Sequence, residues 1–435
     1  DRRRGVYDRA RFDRYLALPR QVDYLAASFQ KRHRDQLAQL GEDFAAATGL
    51  GPVGSDEALV RDYLAHFFGP AADYAAFRPF IDEDFLRRLF AETKILAGSD
   101  DAERWYSLLD NPSYYQQLEQ RVEIELVVQN PRVFAADDPV ELQVDVKNVQ
   151  ALVVKVFEID PIAYFAAHGR AVDSAVDLDG LVANDERLLE FGEPALRRVR
   201  RTLRFDALSG PGTWVIELIG KGKSSRALIR KGGLRYLERL GAAGHVLTIL
   251  DEDDARVTQD VSVWFAGREL RPDERGEIRI PYAASETRTQ LLLRQGKVAT
   301  VVPFVLRAEL YAFHVGVHVE REQLIAGAMA DVVVRAGLTL HGVAISPSLL
   351  RETTLTIQST DRHGTRSSLS VPLELRDEAE ALHRFKVPDA LIGLEFEVRA
   401  KVRSVTGQRD VDLFASDRLS VNEIDVGEQI MALHL

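Results

Sequence analysis

Cysteine is missing from the 435 residues. Disulfides, thiolate metal sites and a cysteine nucleophile are therefore excluded. No run of 18 apolar residues occurs, so no segment reads as a membrane-spanning helix. The opening residues, DRRRG, have no apolar stretch behind them and do not read as a secretory leader. A positive balance is lacking too: the formal net charge is -11. No basic field exists to draw phosphates in, which excludes nucleic acid as a main partner. The basic clusters are Arg2-Arg-Arg4 and Arg197-Arg-Val-Arg-Arg201, and the second reads as a solvated face or strand edge. His-Glu-x-x-His, Gly-x-Ser-x-Gly and dinucleotide fingerprints are also missing, so no catalytic residue and no cofactor site is singled out.

What is present is ordinary folded-protein composition, 46% hydrophobic and 28% charged. The length is too great for one core and predicts about three to four domains. Residues 1–122 carry helical periodicity. Phe12, Tyr15, Leu16, Val22, Leu25 and Phe29 recur at three- and four-residue spacing. Pro19 suits the first turn of a long helix running to about Ala47 and stopping at Gly49. Ser55-Asp-Glu57 caps a helix ending at Gly69-Pro70, Asp82 or a neighbour caps the next, Ser99 opens another through Trp105, and Asn111-Pro112 starts the last. His33 and His66 stand alone on helices and read as surface or boundary residues.

At Val122-Glu-Ile-Glu-Leu-Val-Val128 the period switches to two. Val140, Leu142, Val144 and Val146 alternate with polar residues, and Leu152 to Phe157 reads as a central strand. A looser segment with helical character, Ile162 to Glu190, precedes strands at Leu203-Arg-Phe205 and Trp214 to Ile219. The stretch Gly233 to Arg307 holds short alternating strands, His245 to Leu250, Val261 to Phe265 and Ile278-Arg-Ile280. They are separated by the acidic turn Asp251 to Asp254 and by Pro272-Asp-Glu-Arg-Gly276. That pattern indicates a small β-sandwich. Strands at 315–319, 332–334, 353–357 and 396–402 predict another. The expectation is a multidomain, mainly β chain of tandem immunoglobulin-like antiparallel sandwiches behind an α-helical module. The parts are 1–122 helical, 123–231, 232–307 and 308–424 sandwiches, and 425–435 the start of a further strand or domain. A chain without an initial Met that stops in Ile430-Met-Ala-Leu-His-Leu435 is expected to be a segment of a longer protein.

Certain stretches resemble bacterial proteins of the alpha-2-macroglobulin family. They are Lys155-Val-Phe-Glu-Ile-Asp160 with Asp177-Leu-Asp-Gly-Leu181, Gly233-Leu-Arg-Tyr-Leu-Glu238, Ala243-Gly-His-Val246, Arg271 to Gly276, Val319-Glu-Arg-Glu322 with Arg335, and Asn422-Glu-Ile-Asp425. The resemblance covers about 123–435 and implies macroglobulin-type sandwiches. It also implies a non-enzymatic, extracytoplasmic scaffold of the cell envelope that acts through protein contacts, with proteases among its partners. The family's thioester needs Cys-Gly-Glu-Gln. In Val426-Gly-Glu-Gln429 a valine stands where the cysteine would be, so no thioester forms. The rival readings are accessory modules of an envelope hydrolase and a carbohydrate- or calcium-binding adhesin.

Three short patterns invite chemistry. In Ala175 to Glu186, Asp177, Asp179, Gly180 and Glu186 fall at the third, fifth, sixth and twelfth places of a calcium loop. Ala175 occupies the first, where a ligand is required, and the stretch reads as an exposed turn. Gly220-Lys-Gly-Lys-Ser-Ser225 ends like a P-loop, but Glu217 replaces the needed glycine and a strand follows, so a hairpin is expected. His314 and His318, four apart in a strand, lie about 13 Å from one another, too far for one zinc.

Overall fold

The computed structural model describes residues 1–43, 45–99, 102–109, 111–377 and 379–420. Contacts divide the chain into two compact units, Asp1–Gly233 and Leu234–Leu435. The first begins with helices: α1 (Arg9–Leu16), α2 (Ala27–Arg32), α3 (Ala45–Thr48), α4 (Glu57–Phe68), α5 (Glu83–Ala97), α6 (Ala102–Ser107) and α7 (Pro112–Gln120). The apolar faces of α1, α2 and α4–α7 meet in one core containing Phe12, Leu16, Leu64, Phe68, Phe90 and Trp105, while α3 is exposed. The rings of Phe68, Phe90 and Trp105 follow one another edge to face at 5.2 and 5.7 Å, a geometry that adds to the burial of each ring.

Local signals place α5 and α7 well. The Asp82 carboxylate accepts the amides of Asp84 and Phe85, and Asn111 accepts that of Ser113 with Pro112 in the first turn. The long helix expected from Pro19 to Ala47 does not form; α2 has six residues. The backbone around it makes tertiary bonds instead. Gln21 N–H reaches Ala38 O and Ala38 N–H reaches Pro19 O, both at 3.0 Å, while Ala26 N–H reaches Phe80 O at 2.9 Å. The Arg20 side chain is buried against Asp56 at 3.0 Å. Pairing with distant segments has displaced the local helical bonds that periodicity favoured.

The first sandwich has β1 (Glu123–Leu126), β2 (Val133–Phe134), β3 (Glu141–Lys147), β4 (Ala151–Glu158), β5 (Asp185–Glu190), β6 (Arg198–Arg204), β7 (Gly212–Gly220) and β8 (Lys223–Lys231). One sheet runs β1-β3-β6 and the other β2-β8-β7-β4-β5. Leu142, Val144, Val146, Leu152, Val154, Ile216 and Leu218 fill the space between them. Between β4 and β5 lies α8 (Pro161–His168) with the loop after it. Phe157 and Val215 point to the outer side of their sheet and bury against Ile159, Val172, Val176 and Leu178 of this excursion. Apolar residues on both faces explain why Trp214, Val215 and Ile216 are consecutive apolar residues rather than alternating with polar ones. Full burial of each such side chain contributes about 1.5–3 kcal/mol. Lys221 and Gly222, with φ of 47° and 77°, make the two-residue hairpin turn between β7 and β8.

The second unit continues with β9 (Arg235–Gly241), β10 (Gly244–Leu250), β11 (Val261–Phe265), β12 (Arg268–Leu270), β13 (Ile278–Ile280), β14 (Thr287–Gln295) and β15 (Val298–Leu306). Sheets β13-β10-β9 and β12-β11-β14-β15 enclose Leu247, Ile249, Val263, Ile278, Leu291, Leu293 and Phe304. Last come β16 (Tyr311–Val319), β17 (Met329–Leu340), β18 (Val343–Ile345), β19 (Leu350–Asp361), β20 (Arg366–Pro372), β21 (Ala381–Lys386), β22 (Leu391–Arg403) and β23 (Asp410–Ser420). Sheet β20-β19-β22-β23 faces β16-β17-β18, with β21 also on β17, across Val332, Val334, Leu355, Ile357, Phe396 and Val398. The chain is mainly β, with tandem immunoglobulin-like sandwiches after a helical region. The strand start expected at 425–435, and with it Val426-Gly-Glu-Gln429, lies outside the described residues.

Candidate functional site

The most elaborate polar arrangement lies within the first unit, where α7 meets the first sandwich. On β3, Leu142, Val144 and Val146 face the core, so Asp145 and Lys147 point the other way. Lys147 is nevertheless only 1% exposed, because the C-terminal end of α7 sits on it. Its Nζ donates to Leu118 O and, at 2.7 Å, to Arg121 O. Asn148, in the left-handed region at φ 56°, donates to Glu119 O and Gln120 O at 2.9 and 3.0 Å. Two consecutive sandwich residues thus supply donors to the carbonyls a helix end leaves open, and the ammonium faces the negative end of the helix dipole. Burial pushes the Lys147 amine down to about 8 against the opposing pull of Glu123.

Around this anchor runs an alternating chain of charges. Arg61 stands 3.6 Å from Glu57 and 3.9 Å from Glu92. Glu92 takes Arg121 on one oxygen and the Tyr114 hydroxyl on the other, at 2.5 and 2.8 Å. Arg121 reaches Glu123 at 2.5 Å, Glu123 meets Arg198 at 3.3 Å, and Arg198 meets Glu125 at 2.8 Å. Arg200 closes the series with a two-pronged contact to Asp145 at 2.8 and 2.9 Å. Burial alone would raise the Glu92 carboxyl, but Arg121, Tyr114 and Arg61 hold it below its ordinary value. Tyr114 is pushed up to about 12 by burial and by Glu92. The seam crosses from α4, α5 and α7 to β1, β3 and β6. It is a fastening, with no open coordination or reactive group in it.

The second basic cluster of the sequence, Arg197–Arg201, therefore lies on and beside β6, an edge strand, with Arg198, Arg200 and Arg201 paired to acids. A buried centre inside the helical region was equally invisible in the sequence. The Asp56 carboxylate, 1% exposed, takes Arg20 together with the hydroxyls of Tyr15 and Tyr24, both at 2.6 Å. Burial and those bonds hold both phenols above their ordinary value.

The positions singled out for chemistry are occupied differently. In the calcium-like stretch, Asp177 Oδ1 accepts the amide of Asp179 at 2.9 Å, while Glu186 sits on β5 opposite Lys155 at 3.4 Å. Among the described residues no three His, Asp or Glu side chains gather as a metal would require. Asp251 accepts the amides of Asp253 and Ala255, and Asp273 those of Arg275 and Glu277, so these carboxylates build their own turns. The backbone bond from Glu277 leads in holding the Asp273 carboxyl below its usual range. His318, exposed on β16, contacts Glu320 at 3.3 Å. His314 borders a cleft of about 550 Å³ with Arg335, Ser346 and Asp377. There Ser346 Oγ bonds the Asp377 carboxylate directly at 2.7 Å, so no Ser-His-Asp relay is assembled.

Three domain models match in chain order: Actin-binding protein F N-terminal domain over residues 1–122, AbpF first immunoglobulin-like domain over 152–232, and AbpF third immunoglobulin-like domain over 320–427. The chain is 31% identical over 443 residues to Actin-binding protein F of Dictyostelium discoideum, covering 99% of this chain and 18% of that protein. It spans less than a fifth of that relative's length. Among solved structures, Escherichia coli alpha-2-macroglobulin (domains MG0-NIE-MG1) aligns at 14% identity and TM-score 0.30, over 42% of this chain and 64% of the other. A Salmonella alpha-2-macroglobulin mutant aligns at 13% and 0.29, over 68% and 19%. At those scores neither likeness bears on the assignment.

These findings correct the sequence reading. The alpha-2-macroglobulin resemblance gives way to the three AbpF models and the nearly end-to-end match. With it go the bacterial cell-envelope scaffold, the protease partners, the extracytoplasmic location and the hydrolase and adhesin alternatives. The physical reason is that the resembling stretches are generic strand and turn residues: Lys155 to Glu158 lies in β4 and Arg235 to Glu238 in β9, Gly244 and His245 open β10, and Arg271 to Gly276 is the turn before β13. Any small sandwich needs such residues. The matched family is named for a binding role, not for a reaction. Nearly end to end, then, the chain is similar to Actin-binding protein F, and three domain models of that family match it in order.

Proposed function

We propose that this chain is an actin-binding segment of a longer cytoskeletal protein, and that it acts by binding rather than catalysis. The observation that carries the reading is the match of residues 1–122 to the Actin-binding protein F N-terminal domain, within a 31% identity extending over 99% of the chain. The seam supports it: a helical region clamped to the first sandwich through Lys147, Asn148 and the Arg61–Asp145 charge series presents one firm surface to a large partner. We further propose the division into a helical module at 1–122 and sandwiches at 123–231, 232–307 and 308–424. The middle sandwich then fills the second place between the segments that match the first and third immunoglobulin-like models.

Sedimentation of the 435-residue chain with filamentous actin tests the proposal. The expected result is saturable pelleting with a dissociation constant in the micromolar range, about -8 kcal/mol. Recovery in the supernatant at every filament concentration overturns it.

A further inference from the structure

The cations of residues 1–122 divide into two groups. One group is engaged: Arg2 with Asp62, Arg9 with Asp13, Arg11 with Asp1, Arg20 with Asp56, Arg78 with Glu83 and Arg87 with Asp84. Arg61 and Arg121 belong to the seam, Arg88 and Lys94 bond to carbonyls, and Arg104 lies over the Trp105 ring. The other group is Arg3, Arg4, Arg14, Lys31, Arg32 and Arg34. All six are exposed, and none has a side-chain partner among the described residues. Every one of them falls within the first 34 positions of a chain whose net charge is -11.

The fold holds these segments in place. The turn Arg2–Arg4 is fixed from three sides: Arg2 on Asp62 of α4, Gln129 donating to Arg2 O at 2.7 Å, and Arg11 of α1 on Asp1 at 2.8 Å. The parallel bridge between Arg20 and Ala38 lays the chain after α2 beside the chain after α1. Leu18, 54% exposed, lies in the connection. Asp23 and Asp35 are the acids of this stretch that pair with no cation among the described residues. Lys31 and Arg32 also complement the C-terminal dipole of α2, and Arg14 that of α1.

We propose that these six exposed cations, Arg3 and Arg4 in the turn before α1, Arg14 on α1 and Lys31, Arg32 and Arg34 at the end of α2, are the groups by which the helical region docks onto a carboxylate-rich face of an actin filament. Guanidinium forks without an internal partner are suited to carboxylates, which they take in two-pronged contacts. The inference rests on the actin-binding proposal. Unpaired like charges held on a folded surface oppose folding slightly and favour a complementary partner.

Two triple variants test it in filament sedimentation, Arg3→Glu/Arg4→Glu/Arg14→Glu and Lys31→Glu/Arg32→Glu/Arg34→Glu. A third, Lys223→Glu/Arg288→Glu/Arg366→Glu, makes the same change of charge on exposed strand positions. All three are expected to melt like the parent, since none of the changed side chains has a partner to lose among the described residues. The first two are expected to weaken binding about 10-fold or more, and the third about 2-fold or less. Parent binding is expected to fall as salt is raised. If the parent pellets and all three variants match one another, the docking role of the six cations is refuted while the actin reading stands. If the parent does not pellet, both fail. Pelleting with vesicles of phosphatidylcholine and phosphatidylserine but not with filaments also overturns the inference and assigns the cations to a membrane.

Discussion

The anchoring of α7 on Lys147 makes a prediction with a defined sign. In the folded chain the amine is pushed down to about 8, whereas an unfolded lysine titrates near 10.4. Between those values the unfolded state binds more protons than the folded state, so stability rises with pH through that window. Below the folded value both states are charged, and the full desolvation cost opposes folding. Above the unfolded value both are neutral, and the cost has gone. The gain from end to end is up to about 3 kcal/mol, since each pH unit between the two values is worth about 1.36 kcal/mol. A neutral amine still donates two hydrogen bonds, enough for Leu118 O and Arg121 O.

Lys147→Met removes the titration while keeping the length of the side chain. At neutral pH it loses two buried bonds, each left acceptor costing about 1–3 kcal/mol, but it also removes a buried charge. The two effects oppose each other, and a change within about 2 kcal/mol of the parent is expected. The informative quantity is how the difference depends on pH. Urea unfolding at pH 7, 8.5 and 10, followed by tryptophan fluorescence in a Trp264→Phe background, reads Trp105 and Trp214 of the first unit alone. The parent is expected to gain on Lys147→Met by about 2–3 kcal/mol between the lowest and highest pH. A difference that stays flat would show that the amine is not desolvated as its burial indicates.

Other sites give simpler outcomes. Asp56→Ala leaves the 3%-exposed Arg20 side chain uncompensated and orphans two tyrosine hydroxyls, so a loss of about 3–5 kcal/mol is expected in the same assay. Arg20→Met/Asp56→Leu is expected to recover most of it, and a double variant as weak as the single would refute the charge-burial argument. In the second unit, Gly244 has φ 136°, and a Cβ there would lie 2.2 Å from Ile280 O. Both atoms are held by the β10–β13 pairing, so Gly244→Ala is expected to cost about 2 kcal/mol or more, read from Trp264 fluorescence. An unchanged midpoint would mean that the hairpin opens there without cost.

Sequence reasoning reached the features fixed by nearest neighbours. Asp82 and Asn111-Pro112 set helix starts because the caps bond amides two or three residues on, and Gly220 to Gly222 reads as a hairpin because its neighbours alternate. It failed where a distant residue decided. Nothing local to Arg20 says that Asp56 will bury it, and that contact helps keep Pro19 to Ala26 out of the expected helix. Lys147 occupies a polar position on an alternating strand, identical in pattern to a solvated lysine; only α7 makes it a buried one. The seam could not be read from spacing, since Glu92, Arg121, Glu123, Asp145 and Arg198 come from separate elements.

The same distinction explains the mistaken family. Sandwich strands alternate because one face is buried, and their turns carry Gly, Asp and Pro because tight reversals require them. Residues chosen by those constraints recur in any tandem array and say little about its partner. Residues that the fold does not require are a better guide to function. In residues 1–122 these are the six cations that pair with nothing among the described residues, and they coincide with the segment that matches the Actin-binding protein F N-terminal domain. In the sandwiches the acidic turns at Asp251 and Asp273 are used up by their own amides. On the proposal made above, the docking groups lie at the helical end of the chain, and the comparison of the helical variants with Lys223→Glu/Arg288→Glu/Arg366→Glu decides whether unpaired cations of the sandwiches differ from them.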